Sequence, residues 1–304
     1  MTILWHGVFP AVTTKMADDG GVDLEATQRS LDRLVGAGVS AVIVLPMLGE
    51  NASLNLVERE RVIRGAREVV AGRVPLLSGL CEPTLKAAMQ NARAYETFGA
   101  EGLMVFPSLG YRTDFAETVT WYQQIASASS LPIMIYNNPI AYGVDVTPAM
   151  LQVLSAIPEI FSVKEESGDI RRITDIAIAL GNRFAVFCGV DDLILESIAL
   201  GASGWVSGMT NAWPKECVEL FNLAKSGRWE AARELYRVLT PSFHLDTHVK
   251  LVQYIKLAEH LVYGAPEWTR APRRPVTGEE RESVIRTVTA AIEALRLRSQ
   301  LTGR

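Results

Sequence analysis

Cysteine is scarce in this chain. Only Cys81, Cys188 and Cys217 occur in 304 residues, far apart and odd in number. No CxxC or Cys/His spacing accompanies them, which argues against a disulfide framework or a thiolate metal site and fits a reducing cytoplasm. Histidine is also rare. His6, His244, His248 and His260 share no ligand spacing, so each reads as a structural or exposed group and no metal is expected. Neither sign of charge dominates. Thirty Lys and Arg stand against 34 Asp and Glu, for a net charge of −4, and no basic block appears, which argues against nucleic acid as a partner. Long apolar runs are missing too. Nothing approaches the ~20 residues of a membrane span. The start, MTILWHGVFPAVTTK, lacks a basic segment followed by an apolar core, so neither a membrane nor a secretory signal is expected.

What the chain does have is hydrophobic residues, 48% of the total, enough for one large domain with or without an extension. Short apolar runs at 7–13, 41–45, 74–80, 102–106, 132–136, 160–164, 184–188 and 204–206 predict eight strands. Most are apolar on both faces, as parallel strands covered by helices must be. Helical periodicity lies between them, at 23–37, 84–98, 114–128, 147–156, 169–180 and 191–200, with Thr or Asp near each start as a cap. The strings GAGVSAVIV (36–44), GAEGLMVF (99–106) and GASGWVSG (201–208) repeat one design, in which glycine ends a helix and an apolar strand follows. This alternation predicts an α/β fold, a (β/α)₈ TIM barrel. The barrel is expected over 1–213, with its eighth helix reaching about 226. Helical segments at 229–240, 250–263 and 278–298 have no strands between them and predict a C-terminal helical extension over 227–304.

In such a barrel the C-terminal strand ends face the active site. At one of them, in FSVKEESGD (161–169), Lys164 closes an apolar run. Apolar surroundings favour the neutral, nucleophilic amine, which can condense with a ketone to a Schiff base. Tyr136 ends the preceding strand, 28 residues earlier, and can carry the protons of that condensation. The competing reading is an ion pair of Lys164 with Glu50 or Glu166, and Tyr136 as a packed aromatic. Asp191 and Asp192 read as caps of the helix after strand seven.

GVFPAVTT (7–14), LGEN (48–51), IMIYNNP (133–139), VKEESGD (163–169) and CGVDD (188–192) together resemble the dihydrodipicolinate synthase and N-acetylneuraminate lyase family of class I, Schiff-base aldolases. The likeness spans residues 5–300, and the pairing of YNNP with VKEESGD is its specific part. It implies Lys164 as the imine lysine, Tyr136 as the proton-relay tyrosine, a homotetramer built from dimers, and no metal or organic cofactor. The family's hydroxyl-bearing stretch after strand two is replaced here by Pro46-Met47-Leu48-Gly49-Glu50. Backbone N–H groups of Met47 and Leu48 remain for the carboxylate, in a site that Met47, Leu48 and Gly49 are expected to line, with Glu50 organising the loop. The family's second tyrosine, supplied across a subunit contact, is displaced to Tyr111. Ser207 is a further candidate substrate contact, against the alternative that it satisfies a backbone group. Lysine-biosynthetic members carry an arginine two residues after the YNxP proline, where this chain has Ala141. A methyl group cannot hold a carboxylate in a bidentate pair. The expected activity is therefore a Schiff-base-forming lyase (aldolase, dehydratase or deaminase) acting on pyruvate or a 3-deoxy-2-keto acid. The alternatives are the lysine-biosynthetic synthase itself, and a keto-acid sensor without turnover.

Overall fold

Eight strands line up in parallel: β1 Gly7–Pro10, β2 Val42–Val44, β3 Leu76–Leu80, β4 Gly102–Val105, β5 Ile133–Asn137, β6 Ile160–Glu165, β7 Ala185–Cys188 and β8 Gly204–Ser207. They pair in the order β1-β8-β7-β6-β5-β4-β3-β2. The seam between β1 and β2 is closed by a parallel bridge of Ala11 to Ile43. Ser40 N–H also donates to Val8 C=O, and Val12 N–H to Ile43 C=O, each at 2.9 Å. The ring is the expected (β/α)₈ barrel. The structure is a computed structural model and describes residues 3–302.

Among the described residues nine helices wind around the strands: α1 Leu24–Gly36, α2 Leu56–Val70, α3 Leu85–Phe98, α4 Phe115–Ala126, α5 Pro139–Tyr142, α6 Pro148–Leu154, α7 Arg171–Leu180, α8 Ile194–Ala199 and α9 Pro214–Lys225. Three more follow without strands between them, α10 Trp229–Phe243, α11 Leu251–Tyr263 and α12 Gly278–Thr302. Asp23, Thr84, Asp114 and Thr147 each accept a backbone N–H from the first turn of their helix, as the cap reading requires. Asp191 does not. Its carboxylate accepts from Trp205 Nε1 at 2.8 Å and Met209 N at 2.7 Å, so it braces β8 and the loop after it. α10 runs beyond the expected end at 240, through Pro241. Of the three Gly-Ala strings, two turn on the first glycine, with Gly99 at φ +107° and Gly201 at φ +102°. In the third the left-handed turn falls on Gly38, at φ +91°, two residues later than the pattern implies.

The strand period of two sorts the barrel's side chains into two cores. Ile133 and Ile135 of β5 and Val163 of β6 pack outward with the surrounding helices. Met104 of β4, Met134 and Tyr136 of β5 and Phe187 of β7 pack inward. The inward core continues into the extension through Leu235, Phe243, Ile255 and Val288. Burial of this shared surface, at about 25 cal/mol per Å², holds the late helices against the barrel.

A polar knot fastens the same junction. Glu50 is fully buried, and its carboxylate pairs with Lys256 Nζ at 2.5 Å and Arg273 Nη1 at 3.2 Å. It also accepts Arg270 N at 2.9 Å. Glu50 thus ties the loop after β2 to the extension, the organising role expected of it. Burial pushes the Lys256 ammonium down to about 8 despite its pairing with Glu50.

Candidate active site

Strand register sets the site. Tyr136 on β5 and Lys164 on β6 are direct partners across the ladder, so both side chains leave the same face at the same height. Lys164 Nζ lies 4.2 Å from the centre of the Tyr136 ring. Both residues are buried, at 6% and 2% exposure. They line a pocket of about 320 Å³ with Met47, Leu48, Met104 and Glu166. Phe106 and Tyr142 pack edge-on against the Tyr136 ring, at 4.8 and 5.6 Å between ring centres.

The amine is not in purely apolar surroundings. Glu166 Oε2 is 2.6 Å from Lys164 Nζ, the ion pair that stood as the competing reading. Glu50, the other partner considered, is taken by Lys256. Pairing does not remove the amine from chemistry, because Lys164 still faces an open pocket. The Tyr136 hydroxyl accepts Asn138 Nδ2 at 3.2 Å, and the same amide donates to Glu166 Oε1 at 3.0 Å. Burial and then the Glu166 charge push the Tyr136 hydroxyl well above its usual range. It therefore holds its proton at neutral pH and can act as a donor.

The loop after β2 forms the opposite wall. Leu45 sits in the left-handed region at φ 54°, directly before Pro46, where extended backbone is preferred. Such a conformation costs about 1–3 kcal/mol and must be held by its surroundings. Asn51 Nδ2 holds it, donating to Leu45 C=O at 3.0 Å and Gly79 C=O at 2.9 Å. Gly79 is needed there, since a Cβ would lie 2.1 Å from the Leu45 oxygen. Gly49 N–H is spent inside the turn on Pro46 C=O at 3.1 Å. Its expected part in a carboxylate site falls away. Among the described residues, the N–H groups of Met47 and Leu48 donate to nothing else, and both residues line the pocket.

Two further expectations meet a different structure. Ser207 is fully buried and does not line the pocket; its Oγ accepts Thr210 N–H at 3.0 Å. Ser207 also donates to Asp191, so its hydroxyl serves the core. Within one chain Tyr111 stands apart from Lys164. It is 61% exposed, and its hydroxyl donates to Glu117 at 3.1 Å. The tyrosine ring packed beside Tyr136 in this chain is that of Tyr142.

The pocket opens upward into a wider cavity of about 1720 Å³, partly open to solvent, with Met47, Glu166, Asp246 and Leu251 lining both. Asp246 comes from a 3₁₀ turn, His244–Thr247, that joins α10 to α11. Gly208 admits it, since a Cβ there would lie 2.3 Å from the Asp246 carboxylate. Burial and the neighbouring Asp191 and Glu166 carboxylates raise the Asp246 carboxyl well above its usual range. His244 Nδ1 pairs with Asp192 at 2.7 Å on the same wall, and His248 lines it as well. Both histidines are exposed, as expected of them. Among the described residues no three His, Cys, Asp or Glu side chains form a metal-binding group. Among them, too, no helix is long and apolar enough to cross a membrane.

The comparison with known proteins agrees with this geometry. Residues 4–291 match the model of the dihydrodipicolinate synthetase family. The chain belongs to that family. It is a class I enzyme of the lysine Schiff-base lyases. A relative from Methanothrix thermoacetophila, named 4-hydroxy-tetrahydrodipicolinate synthase, is 31% identical over 99% of both chains. The solved structure of the enzyme of that name from Methylacidiphilum fumariolicum SolV superposes with a TM-score of 0.92 at 25% identity, covering 97% of this chain and 99% of that one. A prophage protein of the dihydrodipicolinic acid synthase family from E. coli K12, solved in complex with pyruvate, gives a TM-score of 0.88 at 25% identity, over 96% and 99%. Within the family, the Glu166 and Asp246 carboxyls were not foreseen as site groups here. Alternation along β6 carried a signal for Glu166, two residues beyond Lys164; nothing in the local sequence marked Asp246.

Proposed function

We propose that this protein is a Schiff-base lyase in which Lys164 forms an imine with C2 of pyruvate or of a 3-deoxy-2-keto acid. The ladder pairing of Tyr136 with Lys164 carries the reading, because it sets a nucleophile and a proton donor side by side at the barrel mouth. The neutral amine attacks C2, water leaves, and the protonated imine then draws electrons from a bond to C3, a C–H bond in pyruvate or the C3–C4 bond in a longer 2-keto acid. Tyr136 supplies and recovers protons during these steps. The N–H groups of Met47 and Leu48 hold the keto acid's carboxylate. Changing Tyr136 to Phe is expected to lower kcat by about 10²–10⁴-fold with a smaller change in KM. Steady-state kinetics on the substrate that turns over fastest checks this; unchanged kcat contradicts the assignment. A homotetramer is the assembly we assign, and only across a subunit contact could Tyr111 reach a site.

The distal part of the substrate is uncharged or cationic in this reading. The walls of the two cavities carry Glu166, Asp192 and Asp246, and Lys164 is the only lysine or arginine among their described residues. Ala141 stands on that wall where a guanidinium would be needed for a second carboxylate. A panel of 2-keto acids differing only at the distal group tests this. We expect kcat/KM at least about tenfold, or 1.4 kcal/mol, higher for hydroxylated or amino-bearing distal groups than for carboxylates.

A second reading is supported by the names of the relatives, 4-hydroxy-tetrahydrodipicolinate synthases over nearly the whole chain. That activity predicts rescue of a bacterial strain unable to make diaminopimelate. Rescue overturns our distal-group assignment while leaving the imine at Lys164 intact.

A further inference from the structure

We propose that Glu166 is a catalytic acid–base residue of this enzyme, taking the proton that Lys164 must lose before it attacks the keto acid. The inference rests on the imine reading above and assigns a group that reading leaves unused. Three side chains besides Lys164 bring titratable protons to the inner pocket: Tyr136, Glu166 and Asp246. Only Glu166 touches the amine, with Oε2 2.6 Å from Nζ. That oxygen is buried, and the Tyr136 hydroxyl also interacts with the same carboxylate. The other oxygen is fixed by Asn138 Nδ2 at 3.0 Å. Asn138 is itself held, accepting Ala141 N–H at 2.9 Å. Glu166 N–H donates to Asn137 C=O at 2.8 Å, extending the β5–β6 ladder by one step. The carboxylate is thus oriented before substrate arrives.

The other two candidates do not fit the first step. The Tyr136 hydroxyl keeps its own proton at neutral pH, so it cannot take one from the ammonium group before a carbinolamine oxygen is there to receive its own. Asp246 makes no ion pair with Nζ. The loop after β2 contributes Pro46, Met47 and Leu48 and no hydroxyl to the pocket.

The steps balance as follows. Lys164 ammonium gives one proton to Glu166 and becomes the free amine. The Nζ–C2 bond forms, and Tyr136 passes a second proton from nitrogen to the carbinolamine oxygen. Glu166 returns its proton to that oxygen as the C2–O bond breaks. Water and the protonated imine result, and Glu166 ends as a carboxylate. Glu166→Gln keeps the size and the Asn138 contact but cannot accept the proton.

The test follows the appearance of borohydride-trapped pyruvate adduct by intact mass, in purified full-length protein. We expect Glu166→Gln to form the adduct about 10²–10⁴-fold more slowly than wild type. Glu166→Ala should be equally slow and should regain rate saturably with added formate. Glu166→Gln forming adduct within about threefold of wild type overturns the proposal. If that variant does not fold, Glu166→Ala decides alone: formate rescue supports the proposal, and its absence in a folded variant overturns it. Wild type that forms no adduct defeats the imine reading as a whole, whereas wild-type trapping with an equally fast Glu166→Gln defeats only this inference.

Discussion

Lys164→Ala is expected to lower kcat/KM by at least about 10⁴-fold, equivalent to about 5.5 kcal/mol of lost transition-state stabilisation. The reason is that no other group at the pocket can form the imine. The second lysine near the junction, Lys256, is fully buried against Glu50 and cannot reach the cavity. Lys164→Arg should be equally inactive while keeping a cation beside Glu166, so folding is preserved and the loss is chemical. Steady-state kinetics with unfolding curves for both variants separates the two effects. Turnover within about tenfold of wild type in either variant would remove Lys164 from the mechanism.

Glu50→Ala should give the largest loss of stability, about 3–5 kcal/mol. The change removes the carboxylate that Lys256 pairs with directly, in a fully buried site. It also removes the acceptor of Arg270 N and the ion pair of Arg273, so the loop after β2 is left tied to the extension through Ser53 and Glu58 alone among these contacts. At about 2–4 °C per kcal/mol, Tm should fall by roughly 10 °C. Adding Lys256→Met to Glu50→Gln should recover part of the loss, because it removes the buried ammonium that the lost carboxylate leaves unpaired. Thermal unfolding of the single and double variants checks this. A Glu50→Ala protein with unchanged Tm would show that the knot contributes nothing to folding.

The barrel was legible because parallel strands covered on both faces must be apolar throughout, and the eight runs ending at Ser207 obey that rule. Lys164 was legible as a charge at the end of such a run. Its partner Tyr136 followed from the length of one βα unit, which carries the chain from one strand to its neighbour. What stayed hidden depends on where side chains turn after the backbone is placed. Ser207 and Asp191 sit at strand ends, as site residues do, yet each is consumed by backbone N–H groups nearby. Tyr142 packs close by because the short helix α5 turns its ring onto Tyr136. Asp246 belongs to the helical extension, 82 residues from Lys164 in sequence. Only the return of the His244–Thr247 turn over Gly208 brings it to the cavity, and no local pattern encodes that approach. Tyr111 came from the family resemblance, as the displaced counterpart of a tyrosine supplied across a subunit contact, and a resemblance says nothing about the direction of this loop. That loop turns the phenol outward to Glu117.

The imine can be seen directly. Wild-type protein incubated with pyruvate and borohydride, then digested, should carry the reduced pyruvyl adduct on the peptide containing Lys164 and on no other lysine. An adduct confined to a different lysine, or none at saturating pyruvate, would contradict the account.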